Sequence, residues 1–354
     1  MVVIQHLLNI WGENSMTNSP TSTSTTATTT ASTGTPARRE RDSLRHVLGP
    51  VIGLTLLLAL LVTAFALPAI KAAPRDLPIG VAGPAAATGQ VSQLLQSKQP
   101  GAFAVSSFAD EASLRAAIRG RDVYGGLAVS PTGPKLLFAS AASPVVATAL
   151  TGLAQGLGQA QGVQVPIEDV VPLPRNDPHG AALATALLPL LLGGIAPVAV
   201  MLRAVRRPLT RVLSVLATNL SMGFAVLAVL HYGLDALAGS YVLESLAMSL
   251  ALGAISMTLL GLSAVASWPG LGLGVLTMLL LGMPLSGVQG APELLPPFWA
   301  RLGQALPPGA GGQLLRSDAY FDGRGATSTL VVLTCWAVAG LVLALLPTRR
   351  AQHV

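Results

Sequence analysis

VLGPVIGLTLLLALLVTAFALPAI, residues 47–70, contains no charged side chain and is built mainly of Leu, Val and Ala. Roughly 20 such residues at 1.5 Å rise cross a ~30 Å hydrocarbon core. A cleavable signal core is shorter, about 7–15 residues, so the stretch reads as a retained membrane-spanning helix. Five further spans follow the same logic: about 181–202, 212–230, 241–267, 271–283 (cut short by Pro284) and 327–346. Lipid leaves backbone polar groups no water to bond, so runs of this kind must be helices. The alternating strands of an outer-membrane barrel are absent.

Composition agrees. The chain is 51% hydrophobic and 10% charged, where a soluble domain carries about 25% charged residues, so it cannot coat itself for water along its whole length. A net charge of +6 would suit nucleic acid, but the arginines lie beside apolar runs. Arg38, Arg39, Arg41 and Arg45 precede the first span, Arg203, Arg206, Arg207 and Arg211 fill the loop after the second, and Arg349 and Arg350 follow the last. Six spans put all three clusters on one side, as the positive-inside rule requires of the cytoplasm. The expected partner is therefore the lipid bilayer and not nucleic acid. The expectation is a multi-pass plasma-membrane protein with both termini cytoplasmic.

Residues 1–45 form the expected cytoplasmic tail. Residues 1–15 lack a signal-peptide layout, and a Thr/Ser/Pro tract runs from Met16 to Pro36. That tract cannot bury enough apolar surface to order itself, and Met16 reads as the true start. Residues 347–354 form a second tail. Between the first two spans, residues 71–178 are far more polar and read as a small extracytoplasmic α/β domain. Its expected order is strand (77–82), helix (89–98), strand (102–108), helix opened by Asp110-Glu111, hairpin (123–129 with 135–140) around Ser130–Gly133, and a helix from Ser143-Pro144 to about Gln161. Ser143 suits an N-cap and Pro144 the first helical position. Residues 165–174 read as an extended strut back to the membrane. The fold class is thus a mainly α membrane protein of six transmembrane helices, with a small α/β domain between helices 1 and 2.

Motifs of chemistry are missing. The sequence contains no GxxxxGK[ST], HExxH, CxxC or GxSxG, so no phosphate cradle, zinc pair or nucleophile elbow is present. Neither enzyme activity nor a cofactor is expected. Cys335, the single cysteine, stands in an apolar run and reads as a buried thiol. Ionisable groups inside spans are functional candidates. Glu244, one turn into the fourth span, reads either as snorkelling to the headgroups or as lining a path. Asn219 reads as a helix-packing hydrogen bonder or a pathway residue. Ser245, Ser249 and Gly253 form a small-residue stripe.

Residues 284–326 read as an outer broken segment. Pro284, Ser286 and Gly287 end the fifth span. Pro292-Glu293 open a short helix with Leu294, Leu295, Phe298, Trp299 and Leu302 on one face, and Trp299 suits a membrane interface. Pro307-Pro308-Gly309 and Gly311-Gly312 read as breakers before a further helix at 313–321. Two readings stand: an amphipathic helix lying on the surface, or a re-entrant pair closing the outer end of a pathway.

The segments Leu77-Pro78-Ile79-Gly80-Val81-Ala82-Gly83-Pro84, Val123-Tyr124-Gly125-Gly126-Leu127, Gly282-Met283-Pro284-Leu285-Ser286-Gly287, Leu294-Leu295-Pro296-Pro297-Phe298-Trp299 and Tyr320-Phe321-Asp322-Gly323 resemble the YhgE/Pip-like branch of type 2 ABC exporter permeases, across nearly the whole chain from about Arg45. The resemblance implies an exporter permease that forms a homodimer and docks a separate ATP-binding subunit. It places coupling to the ATPase at Arg203, Arg206, Arg207 and Arg211. The same arginines also serve as topology determinants. The Pip side of the resemblance, a phage-infection protein, implies instead a receptor or cell-envelope scaffold that uses its outer domain.

Overall fold

The computed structural model describes residues 37–70, 72–131 and 133–346. The tail 1–36 with Met16, the side chains of Arg38, Arg39, Arg41 and Arg45, and Arg349 and Arg350 lie outside the described residues. The described residues are mostly helical, with one small sheet and five helices long and apolar enough to cross a membrane.

Helix α1 (Ala37–Ile70) carries the stretch quoted at the outset, with Leu56, Leu58, Leu60 and Val62 exposed. Next come β1 (Leu77–Ala82), α2 (Ala85–Lys98), β2 (Phe103–Phe108), α3 (Glu111–Gly120), β3 (Gly125–Ser130), β4 (Gly133–Phe138), α4 (Pro144–Gln161) and β5 (Ile167–Asp169). The sheet order is β2-β1-β3-β4-β5, with β3–β4 antiparallel and the other neighbours parallel. The expected caps form. Asp110 Oδ1 accepts the Ser113 amide at 2.8 Å, and Ser143 Oγ accepts that of Val146 at 3.2 Å with Pro144 opening α4. Each cap satisfies an N–H that the first turn leaves without a partner. The expected strut contains β5, tied in by a ring of charges. Glu111 and Glu168 alternate with Arg115 and Lys135, at 2.7 Å for Arg115–Glu111 and 2.8 Å for Lys135–Glu168. Bonds from Arg115 and Lys135 hold the Glu168 carboxyl down at about 2.

The sheet has two cores, one per face. Leu114, Ile118, Ala82 and Leu137 fill one, and Leu77, Ile79, Phe103, Leu136 and Leu150 fill the other. Each also contains a residue from far along the chain: Phe321 in the first and Ala291 in the second. Segment 284–326 therefore grips the sheet from both sides.

Asp177, at the end of the strut, accepts the amides of Ala181 and Ala182 at 2.7 and 2.9 Å and so caps α5 (Ala181–Ala204). Then follow α6 (Pro208–Ala228), extended by a π-helical turn to Gly233, and α7 (Tyr241–Thr277), extended likewise to Gly282. A single helical turn Pro292–Leu294 precedes α8 (Pro297–Ala305), α9 (Pro307–Tyr320) and α10 (Thr327–Leu345). Helix α7 is the axis of the bundle, packing on α5, α6, α9 and α10, and its Met248, Leu252, Ile255 and Leu259 are fully buried.

The fourth and fifth expected spans, 241–267 and 271–283, run together as one helical stretch, Tyr241–Gly282, broken only at Ser267 (φ 55°, ψ −140°). A Cβ added at Gly274 would lie 2.6 Å from Leu259 and 2.9 Å from Leu262. In a straight helix residues twelve to fifteen apart are roughly 18–22 Å distant, so the chain doubles back at Ser267 and its two limbs pack antiparallel. Arg203, at the end of α5, stacks over Trp268 at 5.3 Å. The hairpin tip and the α5–α6 loop therefore share one end of the bundle.

Two expectations within 284–326 are corrected. The helix expected from Pro292 is only one turn, because Pro296 and Pro297 restart the chain as α8. Pro307 and Pro308 do follow the end of α8 at Ala305, but with Gly309, Gly311 and Gly312 they form the first half of α9, which starts at Pro307 and not at 313. Two prolines fit an N-terminus, where no N–H partner is lost. Gly311 is required by close approach, since a Cβ there would sit 2.8 Å from that of Ala251. Cys335 is exposed and not buried, because α10 packs through residues such as Leu333 and Gly340 instead.

Candidate functional site

Helix α9 is buried along nearly its whole length and carries polar side chains there. Gln313, Arg316 and Ser317 lie three and four residues apart, hence on one face, and all three are buried. Arg121 reaches this face from the end of α3. It occupies the left-handed C-cap position (φ 65°, ψ 22°), a conformation glycine favours. Arg121 donates to Gln313 Oε1 at 2.8 Å, to Gln313 O at 3.4 Å and to Ser317 Oγ, and its guanidinium stands 5.2 Å from the Phe321 ring centre. Removal from water lowers its pKa below the usual arginine value.

Beside it the Tyr124 hydroxyl donates to Glu293 Oε2 at 2.8 Å. Burial raises this hydroxyl's pKa, the Glu293 carboxylate adds to the rise, and Arg316 and Arg121 partly offset it. Arg316 is 3% exposed and donates to Val288 O at 2.6 Å. Arg75 donates to Leu294 O at 2.9 Å, and the amides of Ala73 and Arg75 bond Leu294 O and Glu293 O. Between sheet and bundle lies a cavity of about 260 Å³, lined by Arg121, Asp122, Tyr124, Glu293, Gln304 and Gln313 among others.

The residues singled out in the sequence fall elsewhere. Glu244 does not snorkel. Its side chain is fully buried, accepting the Gly239 amide at 3.0 Å and meeting His231 Nδ1 at 3.1 Å. The π-helical turn at the end of α6 brings His231 inward. Asn219 is buried between helices, 3.3 Å from Ser256 Oγ, which donates to Gly194 O at 2.7 Å; it joins α5, α6 and α7. Ser249 of the small-residue stripe packs at Gly223, whereas a Cβ at Gly253 would meet nothing within 4 Å. Pro284, Ser286 and Gly287 line a second, largely apolar cavity of about 320 Å³ with Phe65 and Leu187. Phe298 and Trp299 are exposed on α8, edge to face at 5.2 Å.

Helices α5 and α6 extend further than expected, so only residues 205–207 separate them. Arg211 donates to Val205 O at 2.7 and 3.0 Å and closes the turn, while Arg206 and Arg207 are exposed. No group of His, Cys, Asp or Glu able to hold a metal occurs among the described residues.

Sequence reasoning missed Arg121, Gln313 and Arg316. A usable signal was present, since Arg316 follows Leu314-Leu315 within the helix expected at 313–321. No protein-family model, curated protein or solved structure matches the chain.

Proposed function

We propose that the chain is a multi-pass plasma-membrane permease subunit of an exporter, crossing the bilayer six times with its α/β domain outside and both termini in the cytoplasm. Parity supports six crossings over five. The sheet domain precedes α5, yet its Arg121 and Tyr124 bond Ser317 and Glu293, which follow α7. Three crossings between these partners would put them on opposite faces of the membrane. Two limbs of α7 make four crossings and bring the chain back to the same face. The Arg203–Trp268 contact sets the tip of the hairpin beside the arginine-rich loop, on the side the positive-inside rule assigns to the cytoplasm.

The observation that carries the transport reading is α9. It is a short helix in a broken segment, buried among α5, α7 and α10 at the end of the bundle where the α/β domain sits. Interrupted helices at membrane depth are tolerated where protein or a cavity satisfies them, and transporters build their sites there. With no phosphate-binding loop in the chain, energy comes from a separate ATPase. Arg206 and Arg207, exposed on the short α5–α6 turn, face it, and a second copy of the chain completes the path, as the resemblance implies.

The test is capture. A photo-crosslinker at position 206, activated in native membranes, should trap an ATP-binding subunit, and Arg206→Gln with Arg207→Gln should abolish export with topology unchanged. Recovery of the chain without any ATPase, with export unaffected by its deletion, contradicts the reading. The polar cavity between domain and bundle favours a second reading, an envelope receptor, in which deletion alters the response to an outer ligand and leaves export intact.

A further inference from the structure

We infer that the α/β domain holds a single long acyl chain with a carboxylate head, in the cavity between α2, α4 and the sheet.

Helix α2 packs on β1 and β2, and α4 on β3 and β4. Between them, over one face of the sheet, lies a cavity of about 540 Å³. Ile79, Leu127 and Leu136 floor it, and Leu95, Leu150 and Leu153 wall it. Among the described residues that line it, only Lys98 and Gln99 carry polar side chains, and they are adjacent at the end of α2. Polarity at one end and none along the rest suits an amphiphile, whose chain lies on the leucines while its head meets the lysine. Lys98 makes no ion pair among the described residues, so its charge is open to an acidic head.

Two glycines keep the space open. Gly152 and Gly156 line it from α4, four residues apart and so on one face. Glycine inside a helix is destabilising against alanine. Neither has a positive φ, and a Cβ at either would meet nothing within 4 Å. Backbone conformation and close packing therefore do not call for glycine here; what these residues leave is room. A dry apolar cavity of ~150 Å³ takes one benzene, six carbons, so a volume near 540 Å³ has room for a chain of about 15–20 carbons. Phe103 is the one ring in the lining, so little there would select a flat aromatic ligand by stacking. The inference concerns the domain alone and does not depend on transport.

The experiment uses the full chain in phosphatidylcholine nanodiscs, with a palmitate that carries a photoreactive diazirine near the end of its chain. After irradiation the label should be found on peptides of α2 and α4. The long apolar helices, which meet the probe in the bilayer, serve as the internal control. Free palmitate should compete away the label on α2 and α4, and its methyl ester should compete about threefold less well. Lys98→Gln should erase that difference. Gly152→Leu with Gly156→Leu should abolish labelling of α2 and α4 while labelling of the long apolar helices persists. Its Tm should be unchanged or higher, because both side chains enter vacant space on a helix that gains from losing glycine. Label confined to the long apolar helices overturns the proposal, as does equal labelling of α2 and α4 in the wild type and the double variant. Equal competition by acid and ester in the wild type overturns the carboxylate head.

Discussion

Replacing Gly340 by leucine is expected to lower the stability of the purified protein by about 3 kcal/mol, or about 4 °C in Tm. Helices α7 and α10 cross with their backbones in contact. A Cβ at Gly340 would meet the Met257 carbonyl and come 2.5 Å from the Thr258 amide, and one at Gly261 would lie 2.7 Å from Gly340 O. Backbone atoms cannot turn aside as a rotamer does, so the helices must part along their whole shared face. Lipid offers no hydrophobic compensation, because tails are as apolar as the side chains they replace. Gly253→Ala is the control. Its added methyl has nothing within 4 Å, and alanine favours a helix over glycine by about 1 kcal/mol, so this variant should be unchanged or slightly more stable. Equal behaviour of the two variants in a thermal scan would mean that the helices do not touch at Gly340.

Glu244→Leu should cost about 2–4 kcal/mol, because it leaves the buried Gly239 N–H and the facing His231 without an acceptor. Glu244→Gln should cost less, about 1 kcal/mol, since its carbonyl still accepts from Gly239 while its amide stays within reach of His231 Nδ1. Glu244 is fully buried and holds the 234–240 loop to the head of α7, and Tyr320 of α9 bonds the same loop at Ala236 O. The loss should therefore extend to α9 and appear as faster proteolysis of the 284–326 segment. A Glu244→Leu protein as stable as the wild type would mean that the carboxylate reaches water.

The elements whose signals are local were legible. Ser143-Pro144 set the start of α4, Asp110 that of α3, and the apolar runs the long apolar helices, because caps and apolar runs are local signals. The expected strand limits for β1 match residue for residue. What failed depends on partners distant in sequence. The prolines and glycines of α9 looked like breakers because sequence does not show that Ala251 and Gly303 crowd that helix. Glu244 looked like a headgroup-seeking side chain because His231 lies a π-helical turn and a loop away. Arg121 was not singled out because its partners, Gln313 and Ser317, are almost two hundred residues on. The junction site is made of such pairings, which is why motif and spacing did not reveal it.

The sheet domain and the 284–326 segment are one packed unit, which the proposed topology puts on a single side of the membrane, four crossings apart. Single cysteines introduced into a Cys335→Ser chain at Gln93, Arg324, Arg206 and Trp268 test this with a membrane-impermeant maleimide on intact cells. Gln93 and Arg324 should label, and Arg206 and Trp268 should label only after the membrane is opened. Labelling of Gln93 and Arg324 from opposite sides would contradict the account.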